Sequence, residues 1–177
     1  MKIFMLIVGT LAVVRCVTLE DPESGLIGGE GQQPATAPEA EQLYIRMTYG
    51  GSDYVFVRQQ MSWQKAEGNC LKLGMRLVKI DDFNERNWLR SVIESRPNLQ
   101  KRHYWIGLHS LTYSYQFFWT CGFQQPKYLS WASGEPNSED DFCVHLDHGR
   151  NYDWNNERCH VPLATTFSIC ETCTLSK

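Results

Sequence analysis

Oxygen-bearing side chains are concentrated between residues 131 and 159 of the 177-residue chain. Carboxylates and amide carbonyls are the ligands that a hard cation such as Ca²⁺ takes, roughly six to eight per ion. Calcium is favoured over zinc or copper, because the only histidines of this segment are His145 and His148 and its cysteines are expected to be bridged. An acidic segment of this kind can also be an ordinary solvated loop. The oxygen-bearing residues are Glu135, Asn137, Glu139, Asp140, Asp141, Asp147, Asp153, Asn155, Asn156 and Glu157.

The composition is that of a globular chain with one core. Hydrophobic residues make up 42% of the chain and charged residues 21%, which argues against a fibrous or disordered polymer. The length fits one domain with tails. A net charge of −3 excludes proteins that bind nucleic acid by neutralising phosphates and argues against electrostatic docking on anionic lipid.

The N-terminus resembles a secretory signal peptide. Lys2 precedes a mostly apolar run over residues 3–14, which is too short to span a bilayer. Residues 1–18 are therefore interpreted as a leader, and the mature product as a soluble extracellular protein without membrane insertion. Residues 19–42 are rich in Gly, Pro, Glu, Ala and Gln and are predicted to be a disordered linker. The folded domain is expected over 43–173, with a tail at 174–177.

Secretion affects how the cysteines are interpreted. Thiols oxidise outside the cell, and loss of Cys16 with the leader leaves an even number. The remaining six permit 15 pairings, which the sequence alone does not decide. Their spacing matches no complete zinc motif. These six residues are Cys70, Cys121, Cys143, Cys159, Cys170 and Cys173.

Two helices and several short strands are predicted to position the oxygen-rich segment. Gly50-Gly51 separates two β-forming runs and predicts a hairpin. Ser62 is a candidate N-cap for a first helix that Gly74 closes, and Asp82 with Glu85 forms a capping-box pattern for a second helix. Later strands are expected over 104–108, 116–119, 142–146 and 166–170. The order of elements predicts an α+β fold with an antiparallel sheet and long loops.

Several motifs, taken in order, resemble a C-type lectin domain over residues 43–173. They are Trp105-Ile106-Gly107-Leu108, Trp131, Glu135-Pro136-Asn137 and Trp154-Asn155-Asn156, together with Cys70, Cys143, Cys159 and Cys170. Length and the predicted secretion make the chain similar to single-domain secreted insect immune lectins. The resemblance implies the C-type lectin-like fold, two helices with antiparallel sheets and a long disulfide-braced loop region. The three tryptophans are expected in the core. His145 is expected either in the core or on the surface.

The resemblance also implies covalent and metal-binding roles. Two disulfides, Cys70–Cys170 and Cys143–Cys159, are those of the family. Cys121 and Cys173 are additional, and they pair with each other, pair with a partner chain or remain free. The calcium ligands implied are Glu135, Asn137, Asp141, Asn155 and Asn156. The first four would also hydrogen-bond the sugar, and the Glu135–Pro136 peptide is expected to be cis.

The sequence departs from the family pattern in three places. Asn156 stands where the family usually has Asp, which leaves two carboxylates at the site and predicts weaker calcium binding. The segment between Asn137 and Asp141 is short, so that Glu139 and Asp140 are alternatives to Asp141. Phe142 stands where some members place an acid, so no auxiliary calcium site is expected.

The sequence is compatible with three functions. The leading hypothesis is a calcium-dependent lectin of the mannose, N-acetylglucosamine or fucose type, as Glu135-Pro136-Asn137 implies. Its partners would be glycans on microbial or host surfaces, and its role would be in innate immunity. It would form an oligomer with itself or with another lectin, either disulfide-linked or non-covalent. The alternative is a calcium-independent protein-binding module on the same fold. An enzyme using Glu135 and Asp141 as an acid/base pair has no supporting motif. His148, Arg150 and Tyr152 are expected in a loop beside the site.

Overall fold

A computed structural model describes residues 43–111, 115–160 and 166–174. All of them belong to one compact unit, Ala35–Lys177. The predicted leader at 1–18, the predicted linker at 19–42 and the last three residues lie outside the described part of the chain. The first described strand begins at Tyr44.

The described domain combines two helices with eight strands. The helices are α1 (Trp63–Lys72) and α2 (Phe83–Glu94). A short 3-10 helix occupies His148–Arg150. The strands are β1 (Tyr44–Tyr49), β2 (Ser52–Val57), β3 (Arg76–Leu77), β4 (His103–Ser110), β5 (Phe117–Trp119), β6 (Cys143–Asp147), β7 (Asp153–Glu157) and β8 (Thr166–Glu171).

The ends of the helices follow from local side chains. Asp82 caps α2, since its carboxylate accepts hydrogen bonds from the backbone amides of Asn84 and Glu85 at 2.8 and 2.9 Å. The carboxylate of Glu85 reaches back to accept from the amide of Asp81, the residue before the N-cap, at 2.8 Å. Ser62 precedes α1 as expected but makes no side-chain cap hydrogen bond. These contacts fix the start of α2.

The strands form one sheet with the order β1-β2-β8-β4-β6-β7, while β3 pairs with β8 and β5 with β4. The predicted hairpin around Gly50-Gly51 joins β1 and β2. Every ladder is antiparallel except that of β4 and β8, which run parallel and make the sheet mixed. Periodicity indicates which residues are strands and not which direction each strand takes, so the sequence did not reveal this exception. The α+β fold itself is confirmed.

Strand β7 was not predicted from the sequence. It carries Asp153, Asn155 and Asn156, residue types that are depleted in strands. The whole of β7 nevertheless pairs with β6, from Cys143 opposite Glu157 to Asp147 opposite Asp153. The Trp154-Asn155-Asn156 motif is therefore held on a strand with alternating faces, and its two asparagines point in opposite directions.

Aromatic packing supports the strand that carries this motif. Trp154 is fully buried, and three rings lie edge-on around it. The centroid distances are 5.6 Å to Trp119, 5.8 Å to Tyr128 and 5.7 Å to Trp131. Trp105 is also fully buried, whereas Trp131 is half-buried. The core positions predicted for Trp105 and Trp154 are thus confirmed, and Trp131 sits at the edge of the core.

Gly107 of the Trp-Ile-Gly-Leu motif permits a close approach between strands. A Cβ atom at this position would lie 2.6 Å from the carbonyl oxygen of Leu77 and 2.8 Å from Oγ1 of Thr120. The amide of Gly107 donates to Val78, and its carbonyl accepts from Thr120. A side chain at this position would push apart the middle of the sheet.

All six cysteines of the described domain are paired. Cys70–Cys170 and Cys143–Cys159, which the family resemblance implied, are present with sequence separations of 100 and 16 residues. Cys121 pairs with Cys173 across 52 residues, which settles the alternatives that the sequence left open. The shortest of the three disulfide loops, 143–159, lies within the oxygen-rich segment. Chain-entropy arithmetic gives that bridge ~3 kcal/mol.

Candidate functional site

Backbone hydrogen bonds attach the segment 130–135 to strand β7. The amide of Trp154 donates to the carbonyl of Ser130 at 2.7 Å, and the amide of Ala132 donates to Trp154 at 2.9 Å. Glu135 then closes a turn on the carbonyl of Ala132 at 3.0 Å. The loop that carries Glu135 therefore follows the strand that carries Asn155.

A buried arginine of α2 supports the start of that strand. Arg86, 7% exposed, donates to the carbonyl of Asn151 at 2.9 Å and forms an ion pair with Asp153. Asp153 also accepts a hydrogen bond from the Ser130 hydroxyl at 3.1 Å. Asp153 thus links α2 to the loop and has a structural role.

Glu135 and Asn137 meet across the intervening proline. The Glu135–Pro136 peptide is cis, as the resemblance implied. Nδ2 of Asn137 donates to Oε1 of Glu135 at 3.0 Å. The side chain of Glu135 is only 1% exposed, so its charge is largely removed from solvent and requires a compensating partner.

Arg150 supplies that partner. Its Nη1 donates to Oε1 of Glu135 at 2.6 Å, and its Nε lies 3.6 Å from Oδ2 of Asp147. Asp147 also caps the 3-10 helix by accepting from the amide of Gly149 at 2.8 Å. The guanidinium remains 45% exposed. The site consequently contains a cation of the chain itself.

Asn156 joins the strand to the segment that follows Asn137. The residue is 3% exposed, and its Oδ1 accepts from the amide of Asn137 at 3.2 Å. Its Nδ2 donates to the carbonyls of Ser138 and Asp141 at 2.7 and 3.2 Å. Because a carboxylate cannot donate, an aspartate could not make the last two bonds. Asn156 was predicted as a calcium ligand. In the structure its side chain holds the loop in place by bonding the loop's backbone.

His145 orients the carboxamide of Asn155. The two residues are directly opposite in the β6–β7 ladder, and Nδ2 of Asn155 lies 3.3 Å from Nε2 of His145. Burial, with a smaller effect of His103, lowers the pKa of His145 to about 4, so the ring is neutral at pH 7. A neutral ring that accepts at Nε2 takes the amide nitrogen and directs Oδ1 of Asn155 away from it.

Asp141 belongs to the same loop, but its carboxylate has its own cationic neighbour. Nε of Arg158 lies 3.7 Å from Oδ1 of Asp141. Asn156 bonds the Asp141 carbonyl and not its carboxylate. Glu139 and Asp140, the alternatives to Asp141, are exposed. The structure therefore brings together Glu135 with Asn137 and Asn137 with Asn156, and it connects Asp141 to them only through its backbone.

Two buried oxygens test whether these residues suit a cation. Oε2 of Glu135 and Oδ1 of Asn155 find no hydrogen-bond donor within the described part of the chain. Both are hard acceptors of the kind that Ca²⁺ takes. Over the same described residues, no three His, Cys, Asp or Glu side chains are grouped to hold a metal ion. The oxygens suit calcium, and the carboxylate count is low for a tight site.

Two residues of the site were not predicted as such. Arg150 was expected in a loop beside the site, and His145 in the core or on the surface; His145 is 2% exposed. His145 could be assigned to the site only once β7 was known, because the register of β6 and β7 places His145 opposite Asn155. No sequence pattern pairs Arg150 with Glu135, which is 15 residues away.

Comparisons with known proteins agree with the fold. The family model described as "Lectin C-type domain" matches residues 59–172. The chain is 32% identical over 138 residues to "C-type mannose receptor 2" of Mus musculus, which covers 77% of this chain and 9% of that protein. The chain thus spans less than a tenth of the length of this relative. No helix of the described residues has the length and apolar character needed to cross a membrane.

Solved structures show the same architecture. The cow C-type carbohydrate-recognition domain of CD23, crystallised in the presence of a GlcNAc2Man3 oligosaccharide, is 25% identical with a TM-score of 0.62. It covers 74% of this chain and 95% of its own. A calcium-independent type II antifreeze protein is 21% identical with a TM-score of 0.62, over 73% of this chain and 92% of its own. At that identity the second likeness concerns the fold alone.

Proposed function

The chain belongs to the C-type lectin family, and we propose that it is a secreted protein that binds neutral saccharides through calcium at Glu135, Asn137 and Asn155. The proposal is carried by one observation: Oε2 of Glu135 and Oδ1 of Asn155 are buried acceptors without a donor among the described residues. Leaving such oxygens unpaired costs roughly 1–3 kcal/mol each, and a bound cation removes that cost.

The ion and the side chains would divide the work of sugar binding. Calcium, when bound, would supply coordination positions for two neighbouring hydroxyls of the sugar. Glu135 would accept a hydrogen bond from one hydroxyl, and the Asn137 amide would donate to the same group, satisfying both its hydrogen and its lone pair. Asp141 and Asn156 complete the ligand set that the family resemblance implies. In this chain Asn156 also keeps the loop in place.

The family relationship supports the proposed sugar class and biological role. We propose mannose, N-acetylglucosamine or fucose as the ligand, because Glu135-Pro136-Asn137 is the motif associated with these sugars. The crystal of the CD23 domain with a GlcNAc2Man3 oligosaccharide supports this class by relationship. Recognition of microbial or host glycans in innate immunity, outside the cell, is the proposed role. The family is generally non-enzymatic, and no catalytic residue is proposed.

A glycan array read with calcium and with a chelator tests the proposal. We expect mannose- or N-acetylglucosamine-bearing glycans to be retained only with calcium. Glu135→Gln should abolish that signal, whereas Glu94→Gln, which neutralises an exposed carboxylate at the end of α2, should preserve it. Glycan retention that survives the chelator would overturn the calcium-dependent mechanism.

A calcium-independent protein-binding module is the second candidate. The observation that favours it is that Arg150 and Arg158 each approach one of the two site carboxylates, which leaves a formal charge near zero. Titration of calcium against the midpoint of thermal unfolding separates the two functions. Bound calcium stabilises the folded chain by mass action, whereas a module without a calcium site gives no calcium-dependent shift.

A further inference from the structure

We propose that a groove beside Pro136 binds the second sugar residue of a neutral oligosaccharide whose first residue is held at Glu135 and Asn137. This inference rests on the proposed function and specifies its ligand. The groove has a volume of about 360 Å³, at the small end of the ~300–1,000 Å³ typical of ligand pockets. A space of this size suits a single ring better than a long chain.

The groove is continuous with the proposed sugar site through Pro136. This proline lines the groove, while its two chain neighbours, Glu135 and Asn137, are the residues proposed to contact the first sugar. A saccharide held by Glu135 and Asn137 would therefore lie next to a residue of the groove wall, where its second ring can enter the groove.

The floor of the groove is rigid. Trp131 lines it and packs against Trp154 at 5.7 Å and against Phe117 at 5.0 Å between ring centroids. The amide of Ala132, the next residue, is hydrogen-bonded to Trp154. A preformed wall lowers the entropic cost of binding, because little has to be ordered when the ligand arrives.

The sides of the groove expose apolar surface. Tyr115 and Leu129 are 50% and 56% exposed, although large apolar side chains of this kind are more often buried. A pyranose ring carries C–H groups on one face, and covering Tyr115 and Leu129 with that face removes apolar area from water. Tyrosine is well suited to this contact because its ring is apolar and its hydroxyl remains hydrated.

The polar groups of the groove are neutral. Gln116 and Gln125 line it, and none of its described lining residues is charged. A primary amide both donates and accepts hydrogen bonds, which matches the hydroxyl groups of a sugar. By contrast, the groove beside β1 and β2 is lined by Arg46 and Asp53, and the groove beside Cys159 by Asp140 and Arg158. The Pro136 groove therefore favours a neutral saccharide over an acidic one.

The test compares methyl α-mannoside with a mannobiose by calorimetry in saturating calcium, using the full chain. We expect the disaccharide to bind about tenfold more tightly, which corresponds to ~1.4 kcal/mol. The variant with both Tyr115→Ser and Leu129→Ser should lower this ratio to about twofold or less while the affinity for methyl α-mannoside stays within about twofold. Phe83→Ser is the matched control, since Phe83 is 61% exposed and does not line the groove.

The possible failures are distinguishable. Equal affinity for the two saccharides in the wild-type chain, or a preference that persists in the double variant, overturns the groove while leaving the proposed function intact. A gain for an aryl mannoside without a gain for mannobiose also overturns it, because the groove would then take an apolar aglycone. Failure of methyl α-mannoside, methyl N-acetylglucosaminide and methyl α-fucoside alike to bind in calcium overturns the proposed function together with the groove. If another of these three sugars binds in place of mannose, its disaccharide takes the place of mannobiose in the same comparison.

Discussion

Arg150 donates a hydrogen bond to Glu135 at 2.6 Å, at the carboxylate proposed to bind calcium. The Glu135 side chain is 1% exposed, so its charge needs a nearby cation in the absence of metal. In the proposed complex, calcium at Oε2 of Glu135 would lie at the same carboxylate as Arg150, which holds Oε1. Repulsion between the two cations would lower the affinity of the proposed site for calcium.

Arg150→Gln should change stability and calcium affinity in opposite directions. Without calcium, we expect the free energy of unfolding to fall by ~1–2 kcal/mol, less than for a fully buried pair because Arg150 is half-exposed. With calcium, the variant should bind the ion several-fold more tightly. Thermal unfolding in chelator and calorimetric calcium titration measure the two effects.

Arg90→Gln is the control for that variant. Arg90 pairs with Glu94 at 2.8 Å on the surface of α2, and its loss should leave calcium affinity unchanged. An Arg150→Gln chain that binds calcium no more tightly than wild type would show that the guanidinium does not compete with the ion.

The hydrogen bonds of Asn156 lead to a second prediction. Asn156→Asp places a third carboxylate at the site but sets it against the carbonyls of Ser138 and Asp141, to which Asn156 now donates. We expect the variant to unfold at lower temperature in chelator and to show a larger calcium-induced shift than wild type. Asn156→Ala, which loses all three bonds, should cost about 2–4 kcal/mol without any gain in calcium response. Thermal unfolding across a calcium series measures both variants.

The fold and the site could be predicted from the sequence to different extents. The helices and the long strands were accessible because capping residues and apolar periodicity are local signals, as at Asp82 and Glu85. Strand β7 was not, since its Asp and Asn residues disfavour strands and only pairing with β6 overrides them. Without β7, the contact of His145 with Asn155 could not be foreseen.

The remaining features depend on long-range packing. The contact of Arg150 with Glu135 requires the 3-10 helix to lie against the loop, and no local pattern encodes that distance. The partner of Cys121 was likewise undetermined because six cysteines allow 15 pairings. Motifs thus identified candidate calcium ligands, whereas the structure reveals the contacts that these side chains make with the rest of the described chain.

The Cys121–Cys173 bridge leaves neither of these residues free to link two chains. Both are paired within the chain, so any assembly of the described domain would be non-covalent. We expect the folded chain to migrate as a monomer on non-reducing gels. Replacing both residues by serine should lower the free energy of unfolding by up to ~4 kcal/mol on the chain-entropy model for a loop of this length.

Replacing Cys143 and Cys159 by serine provides the comparison. Their bridge closes a loop of 16 residues, for which the same model gives ~3 kcal/mol. We expect replacement of Cys143 and Cys159 to weaken calcium binding as well, because their bridge lies beside the proposed site. The variant that lacks Cys121 and Cys173 should retain calcium binding. Chemical denaturation and calcium titration of both variants measure the difference, and a loss of calcium binding in both would argue against a local role.

Glu85 gives a pH-dependent prediction away from the site. It is 7% exposed, and it accepts hydrogen bonds from the Tyr54 hydroxyl and the Asp81 amide, each at 2.8 Å. Burial, with a contribution from Glu171, raises the pKa of Glu85 to about 7 from a reference value of 4.5. Between these values the folded chain retains a proton that the unfolded chain has lost. This group therefore makes the free energy of unfolding fall as pH rises from 4.5 to 7.

Buried histidines act in the opposite direction over part of that range. Burial lowers the pKa of His103, His109 and His145, so each contributes stability that increases as pH rises towards 6.5. The prediction therefore concerns the difference between Glu85→Gln and wild type, in which the histidine contributions cancel. From pH 4.5 to 7.5 the stability of the variant relative to wild type should rise by about 1–3 kcal/mol. Urea denaturation at each pH measures it, and Glu94→Gln, an exposed change on the same helix, should show a flat difference. An equally flat profile for Glu85→Gln would mean that Glu85 titrates in the folded chain as it does in the unfolded one.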